Sequence, residues 1–202
     1  EPCCHHGRTP PCTTALLESG VTRVVVAMVD PYSEVAGGGI ALLRAAGIQV
    51  DVGVAEAEAQ RLNAPFVSHC VRGRPLIVLK AGVTLDGRIA SEAGESQWIT
   101  GPAARARGHQ LRHEADAVLV GSGTLMADDP ALDTRMADGE GANAVPVILD
   151  TDLRIPPTAR VLTAGRRPLI LCSPDARARS LPADIVRVPR AARGLSLQDV
   201  VA

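Results

Sequence analysis

The feature that most constrains the fold of this chain is a series of short apolar runs separated by segments with helix signals. The apolar runs occupy residues 23–29, 48–54, 76–81, 117–120, 145–149, 169–172 and 185–188. Continuous apolar runs of this kind are typical of strands that are buried on both faces. Strands that alternate with helices form parallel sheets covered by helical layers. The pattern therefore predicts an α/β fold.

Capping residues and glycines predict where the helices lie. They favour helices over residues 9–19, 40–46, 55–62, 100–114 and from 196 onward. Thr9 and Thr100 each precede a first turn that contains proline, so both are expected N-cap residues. The glycines at 37–39 are expected to form a loop.

The segment at residues 70–75 interrupts this alternation with glycine, proline and arginine. Such a change of composition is typical of a domain boundary. We therefore divide the chain into two predicted domains, residues 1–73 and residues 74–202.

Charge and aromatic content exclude several classes of partner. Lysine plus arginine number 21 and aspartate plus glutamate 22, so the chain has no basic excess for nucleic-acid phosphates. Tyr32, Phe66 and Trp98 are the only aromatic residues besides histidine, too few for a base-stacking surface. No apolar run reaches the roughly 18 residues that span a bilayer. We expect a soluble cytoplasmic protein that binds neither nucleic acid nor a membrane.

The cysteines are distributed unevenly, with Cys3, Cys4 and Cys12 beside two histidines and Cys70 and Cys172 in apolar surroundings. An odd, clustered set is not typical of a disulfide framework. The two later cysteines are predicted to be buried thiols. The clustered ones indicate a metal site.

Zinc prefers thiolate and imidazole ligands, and Cys12 lies in the first turn of a predicted helix, where the dipole favours thiolate. Cys3 could fold back onto the same ion. Spacing alone leaves three interpretations open: a catalytic zinc site, a structural zinc knuckle that uses His5 or His6, and a reduced surface loop.

The opening string E-P-C-C-H-H-G-R-T-P-P-C resembles the zinc loop of the bifunctional riboflavin-biosynthesis deaminase–reductases, a family of the cytidine-deaminase-like superfamily. The resemblance implies that Cys3 and Cys12 are zinc ligands and that Arg8 and Thr9 line a pocket. In that family the third ligand and the proton-shuttling glutamate come from an upstream H-A-E segment. No His-x-Glu pair occurs in this sequence, so we assign no catalytic residue and expect an incomplete deaminase site.

Polar groups follow the predicted strands of the second half. The turn at residues 84–88 follows one strand, and Gly-Ser-Gly-Thr at 121–124 follows another. Ligands of open α/β sheets bind at such strand ends, and the amides of residues 121–124 could cradle a phosphate. A tight strand-to-helix turn is the alternative. The dinucleotide-binding glycine fingerprint is absent.

Residues 76–162, with K-A-G-V-T-L-D-G-R-I-A, G-E-S-Q-W-I-T-G and L-R-H-E-A-D-A-V-L-V-G-S-G-T, resemble the reductase half of the same family. The expected fold is thus a cytidine-deaminase-like α/β/α remnant followed by an incomplete dihydrofolate-reductase-like α/β domain that uses NADPH. The substrate residues that the resemblance implies are Ser96, Arg112, Leu132 and Arg135. The NADPH residues that it implies are Val83, Trp98, Thr124, Asp128 and Thr151.

Three of these residues also have a simpler interpretation. Arg112 could be a solvated residue on a basic helix, Trp98 a core residue and Asp128 a helix cap. Lys80, the only lysine, either orients a substrate or carries no special role.

The resemblance implies zinc-dependent deamination of diaminohydroxyphosphoribosylaminopyrimidine, followed by NADPH-dependent reduction of the ribosyl to the ribityl side chain. It also implies a homo-oligomer acting on a small phosphoribosyl-pyrimidine. Two alternatives stay open: an inactive nucleotide-binding scaffold remnant, and a fragment of a nucleotide or tRNA deaminase.

Overall fold

The computed structural model describes residues 1–137, 139 and 141–201. The chain forms two compact units, a first unit of residues 1–78 and a second unit of residues 79–201. No helix in the described part of the chain has the length and apolarity that a bilayer crossing needs.

The first unit is a parallel strand pair with helices around it. Its elements are α1 (Cys12–Glu18), β1 (Arg23–Val26), α2 (Gly38–Ala45), β2 (Gln49–Val52), α3 (Glu56–Leu62) and α4 (Ala64–Arg72). β1 pairs with β2 in parallel register. Val26 and Val50 from the strands pack with Ile40 and Leu43 of α2, so one face of this pair carries the core.

The second unit is built on a four-stranded parallel sheet. Its elements are α5 (Pro102–His113), β3 (Ala117–Gly121), α6 (Ser122–Asp128), β4 (Val145–Leu149), a short 3₁₀ helix (Arg160–Leu162), β5 (Leu169–Cys172), β6 (Asp184–Arg187) and α7 (Leu197–Val200). The strand order is β3-β4-β5-β6, with every pair parallel. Ile148 and Ile170 are fully buried on one face of the sheet, and Leu171 packs with Val188 on the other.

Several predicted elements are confirmed. The helices over 40–46 and 55–62 correspond to α2 and α3, and the runs at 117–120, 145–149, 169–172 and 185–188 are strands. The helix opened by Ser196 is also present, because the Ser196 hydroxyl accepts a hydrogen bond from the Asp199 amide.

One predicted strand is absent, and another is shorter than predicted. Residues 76–81 form no strand, and Leu79 in this run is 93% exposed. The run at 23–29 is paired only over Arg23–Val26, and Val25 is about half exposed. An apolar run becomes a strand only where a neighbouring backbone takes up its amide and carbonyl groups, and residues 76–81 make no backbone hydrogen bond with another described residue.

The predicted helix starts also change. Pro11, not Thr9, is the N-cap of α1, and Gly101, not Thr100, is that of α5. The predicted glycine loop is shorter than expected, because Gly38 already belongs to α2 and Gly37 caps it with a left-handed backbone. α4 was not predicted.

The predicted burial of the later cysteines is correct for one of them. Cys172 is fully buried in β5, and this burial raises the pKa of its thiol. Cys70 lies in α4 and is only partly buried, because the helix presents it near the surface.

A carboxylate clamp fixes the start of the chain to α2. The Glu1 carboxylate accepts hydrogen bonds from the amides of Asp30, Gly37, Gly39 and Ile40, at 2.9–3.2 Å. Burial alone would raise the pKa of Glu1, but these amide hydrogen bonds outweigh it and lower the pKa. Amides at a helix start lack intrahelical partners, so a carboxylate there is favourable.

The clamp predicts that Gly39→Ala destabilises the first unit. A Cβ at this position would lie 1.9 Å from the Pro2 carbonyl oxygen, so the backbone must shift. Helix propensity alone would favour alanine by about 1 kcal/mol, whereas crowding of this kind typically costs about 1–3 kcal/mol. We expect a lower urea midpoint, measured by circular dichroism.

Gly7→Ala is the matched control, since the nearest atom to a Cβ there is the His5 Nε2 at 3.9 Å. An unchanged or raised midpoint for Gly39→Ala would show that the close contact with Pro2 is not a constraint on folding.

Candidate functional site

The carboxyl edge of the four-stranded sheet brings two predicted cofactor residues to neighbouring strand ends. Gly121 of β3 is paired with Leu149 of β4, so α6 and the turn from Asp150 leave the sheet side by side. Thr124 lies in α6 and Thr151 in this turn. Such an edge is where open α/β sheets bind ligands.

Hydrogen bonds make the backbone around Thr151 rigid. The Thr151 carbonyl accepts from both the amide and the hydroxyl of Ser173, at 3.0 and 2.8 Å. Next to it, the fully buried Asp150 accepts from the Ile155 amide at 2.7 Å through Oδ2. The other Asp150 oxygen is buried without a hydrogen-bond partner among the described residues. Asp150 was not singled out from the sequence.

Three other predicted cofactor residues present side chains to the surface. Trp98 is 70% exposed, which rules out the core interpretation, and the Arg105 guanidinium carbon lies 4.5 Å from the centre of its ring. This is cation–π distance. Val83 is about half exposed. Asp128 ends α6 and is exposed, and its carboxylate makes no hydrogen bond or ion pair with another described residue; the C-cap is Asp129.

Three of the predicted substrate residues lie together on α5 and the loop at 131–135. Arg112 Nη1 on α5 donates to the Asp133 carbonyl at 2.9 Å, and Leu132 beside it is buried. The Arg135 amide donates to Nδ1 of His109, also on α5, at 3.1 Å. Ser96 is not tied to this cluster by any described hydrogen bond; its carbonyl accepts from the Ile99 amide.

Arg112 is not the solvated helix residue that the simpler interpretation proposed. Burial lowers the pKa of its guanidinium, nearby Arg135 lowers it further, and Asp133 opposes both. The Asp133 carboxylate is 3.7 Å from Arg135 Nε. A partly desolvated guanidinium with a second one nearby suits a phosphate, which binds strongly to such forked donors.

His109 is a member of this cluster that was not singled out from the sequence. Its pKa is lowered by burial and by the charges of Arg112 and Arg135, with Asp133 opposing. The imidazole is therefore neutral at neutral pH. The signal that could have found it is its spacing, three residues before Arg112 on the same helix.

Lys80 also lies against α5. Its Cε would be 3.8 Å from a Cβ placed at Gly108, the residue before His109. The aliphatic part of the side chain thus packs on the helix that carries Arg112.

In the first unit, Cys3 and Cys12 meet at the start of α1. The Cys12 amide donates to Cys3 Sγ at 3.2 Å, and the Thr13 amide donates to the Cys3 carbonyl at the same distance. Hydrogen bonds from the Cys12 amide and then its thiol lower the pKa of Cys3. A thiol of lowered pKa is a better metal ligand.

This pair fits part of a zinc site. Two soft ligands are adjacent, but the described residues contain no group of three or more His, Cys, Asp and Glu side chains that could hold a metal. His5 instead packs edge-on against Tyr32, with ring centres 6.0 Å apart. Among the described residues, His5 and His6 therefore do not form a zinc knuckle with Cys3 and Cys12.

A scan of family models matches residues 75–201 to the RibD C-terminal domain. The riboflavin biosynthesis protein RibD of Aquifex aeolicus is 48% identical over 171 residues, which cover 85% of this chain and 48% of that protein. RibD of Escherichia coli is 44% identical over 173 residues, covering 80% of this chain and 47% of its own length.

A comparison with solved structures leads to the same family. A diaminohydroxyphosphoribosylaminopyrimidine deaminase/5-amino-6-(5-phosphoribosylamino)uracil reductase from Thermotoga maritima superposes with a TM-score of 0.85 at 36% identity, covering all of this chain and 55% of that one. The chain therefore spans about half the length of the relatives that it matches. It belongs to the RibD C-terminal domain family, and its parallel-sheet α/β fold matches the dihydrofolate-reductase-like reductase domain of RibD.

Proposed function

We propose that the second unit is an NADPH-dependent reductase of riboflavin biosynthesis that converts the ribosyl side chain of 5-amino-6-(5-phosphoribosylamino)uracil into ribityl. The observation that carries this proposal is the cluster of Arg112, Leu132 and Arg135, which lies in the unit that matches the RibD reductase domain. The printed name of the Thermotoga maritima relative supports the same substrate. We place the enzyme in the cytoplasm, as a homo-oligomer acting on a small molecule.

In this proposal Arg112 and Arg135 hold the terminal phosphate of the substrate. Arg112 is oriented by its bond to the Asp133 carbonyl, so the guanidinium is positioned before a ligand arrives. Preorganised donors in a partly desolvated site bind an anion more strongly than mobile surface arginines do. Leu132 is buried in the hydrophobic core of the second unit, which anchors the loop that carries Arg135.

Val83, Trp98, Thr124, Asp128 and Thr151 form the proposed NADPH site. The cofactor supplies a hydride to C1 of the ribosyl group when it is bound. The exposed Asp128 carboxylate is suited to accept hydrogen bonds from ribose hydroxyls, and Thr151 is held on a rigid turn. The exposed face of Trp98 can pack against an aromatic ring of the cofactor.

We further propose that residues 1–73 are part of a zinc-dependent deaminase domain and that residues 74–202 belong to the reductase. The superposition of the Thermotoga maritima structure over the whole chain supports this assignment. Cys3 and Cys12 would hold the zinc ion, whose chemistry is to activate a water for hydrolytic deamination. The glutamate that moves the proton is not a residue of this sequence.

The proposed reductase site predicts opposite effects of two substitutions. Arg112→Ala should weaken binding of the phosphorylated substrate about ten- to hundredfold, because a charge-assisted hydrogen bond contributes about 1.5–3 kcal/mol. Asp128→Ala should weaken the binding of NADPH and leave the affinity for the substrate unchanged. NADPH binding can be followed by quenching of Trp98, the only tryptophan, and substrate binding by calorimetry.

Arg107→Ala is the matched control, since Arg107 lies on the same helix but is exposed and, among the described residues, forms an ion pair with Glu114 alone. It should change neither affinity. If Arg112→Ala left the substrate affinity within twofold of the parent, the substrate site would be assigned wrongly.

The proposed zinc site predicts weak retention of metal. Since the described residues supply a pair of adjacent ligands, zinc should leave during dialysis against modest chelator, and Cys3→Ser should lower its affinity further. Bound zinc is measured by elemental mass spectrometry after dialysis.

Cys70→Ser serves as the control, because Cys70 lies in α4 and should not affect metal content. Stoichiometric zinc that survives extended dialysis of the parent chain would contradict this prediction.

A further inference from the structure

His109 joins α5 to the loop at 131–135 through one ring nitrogen. Nδ1 accepts a hydrogen bond from the Arg135 amide at 3.1 Å and lies 3.2 Å from Arg112 Nη1. A nitrogen that accepts an amide proton carries no hydrogen, so the proton of the neutral ring is on Nε2. The lone pair of His109 Nδ1 thus faces the Arg135 amide and Arg112 Nη1, which belong to the two arginines of the proposed phosphate site.

The loop needs such external support because its backbone is unfavourable. Leu132 has a φ of 55°, in the left-handed region that leucine rarely adopts. Residues in this region persist only where surrounding contacts fix them. Each of the three residues after Leu132 makes a hydrogen bond outside the loop. The Asp133 carbonyl accepts from Arg112, the Thr134 amide donates to Asn143 at 2.7 Å, and the Arg135 amide donates to His109.

Of these contacts, the one from His109 acts directly on Arg135. It fixes the main chain from which the Arg135 side chain extends. The same Nδ1 also lies 3.2 Å from Arg112 Nη1, the nitrogen that donates to the Asp133 carbonyl of the loop. Among the described residues, Nη1 is the only nitrogen of the Arg112 guanidinium that donates, which leaves its other nitrogens for a ligand.

Charge keeps this nitrogen available as an acceptor. The charged groups that face His109 are Arg112 on its own helix and Arg135 and Asp133 on the loop. Burial of the ring disfavours a protonated imidazole first, and the two cations, which outweigh one carboxylate, add to this effect. The neutral ring accepts; a protonated ring would release the Arg135 amide.

We propose that His109 is a positioning residue of the phosphate site, which sets the spacing of Arg112 and Arg135 through the acceptor Nδ1. This inference rests on the proposed function, in which these two arginines bind the substrate phosphate. His109 itself need not touch the substrate.

The test compares three substitutions in the full chain. Asparagine places its Oδ1 where Nδ1 stands, glutamine places its polar group near Nε2, and leucine has no acceptor. We expect His109→Leu and His109→Gln to raise the dissociation constant for ribose 5-phosphate about three- to tenfold, the effect of losing one neutral hydrogen bond. His109→Asn should restore binding to within twofold of the parent.

Two further ligands separate the phosphate effect from a general loss of structure. Ribose without phosphate should not distinguish the variants, and NADPH affinity, read from Trp98 fluorescence, should be the same in all of them. If His109→Leu does not fold, the comparison of His109→Asn with His109→Gln decides the question.

The outcomes separate this inference from the proposed function. If Arg112→Ala weakens ribose 5-phosphate but His109→Leu and His109→Gln bind like the parent, the role of His109 is overturned and the phosphate site stands. Equal losses for asparagine and glutamine would also overturn it. If the parent binds ribose 5-phosphate no better than ribose, both proposals fail.

Discussion

Parallel pairing of β3 to β6 is the constraint on which the second unit depends. Each strand of this sheet runs in the same direction, so the chain must return across the sheet between successive strands. The returning segments bury Ile148 and Ile170 on one face and Leu171 on the other. The carboxyl ends of all four strands then lie at the same edge of the sheet. This is how Thr124 and Thr151 reach neighbouring positions despite their separation in sequence.

The cluster of Arg112, His109 and Arg135, the proposed phosphate site, depends on a different balance, between burial and charge. Taking the Arg112 guanidinium out of water is unfavourable, and the Asp133 carbonyl offsets part of that cost through a hydrogen bond. His109 stays neutral beside it, so it adds an acceptor without adding a third positive charge. A phosphate brought to this site would meet donors that are already oriented.

Hydrogen bonds from backbone amides to the Glu1 carboxylate hold the cysteine loop of the first unit in place. The Glu1 carboxylate takes up amides at the start of α2, and Gly39 lets the Pro2 carbonyl approach that helix closely. This anchorage places Cys3 where its sulfur accepts from the Cys12 amide. The contact between Cys3 and Cys12 is thus a consequence of how the loop is held against α2.

The sequence by itself determined the α/β class, the strands at 145–149 and 169–172 and the helix at 40–46, because periodicity and glycine signals report local preferences. Its motifs also pointed to the reductase family. Tertiary structure alone decided that residues 76–81 stay unpaired, that Trp98 is exposed and Arg112 partly buried, and that His109 meets Arg135. Strand pairing and the burial of a side chain depend on groups that are distant in sequence. A local sequence pattern does not indicate which distant group will pack against a given residue.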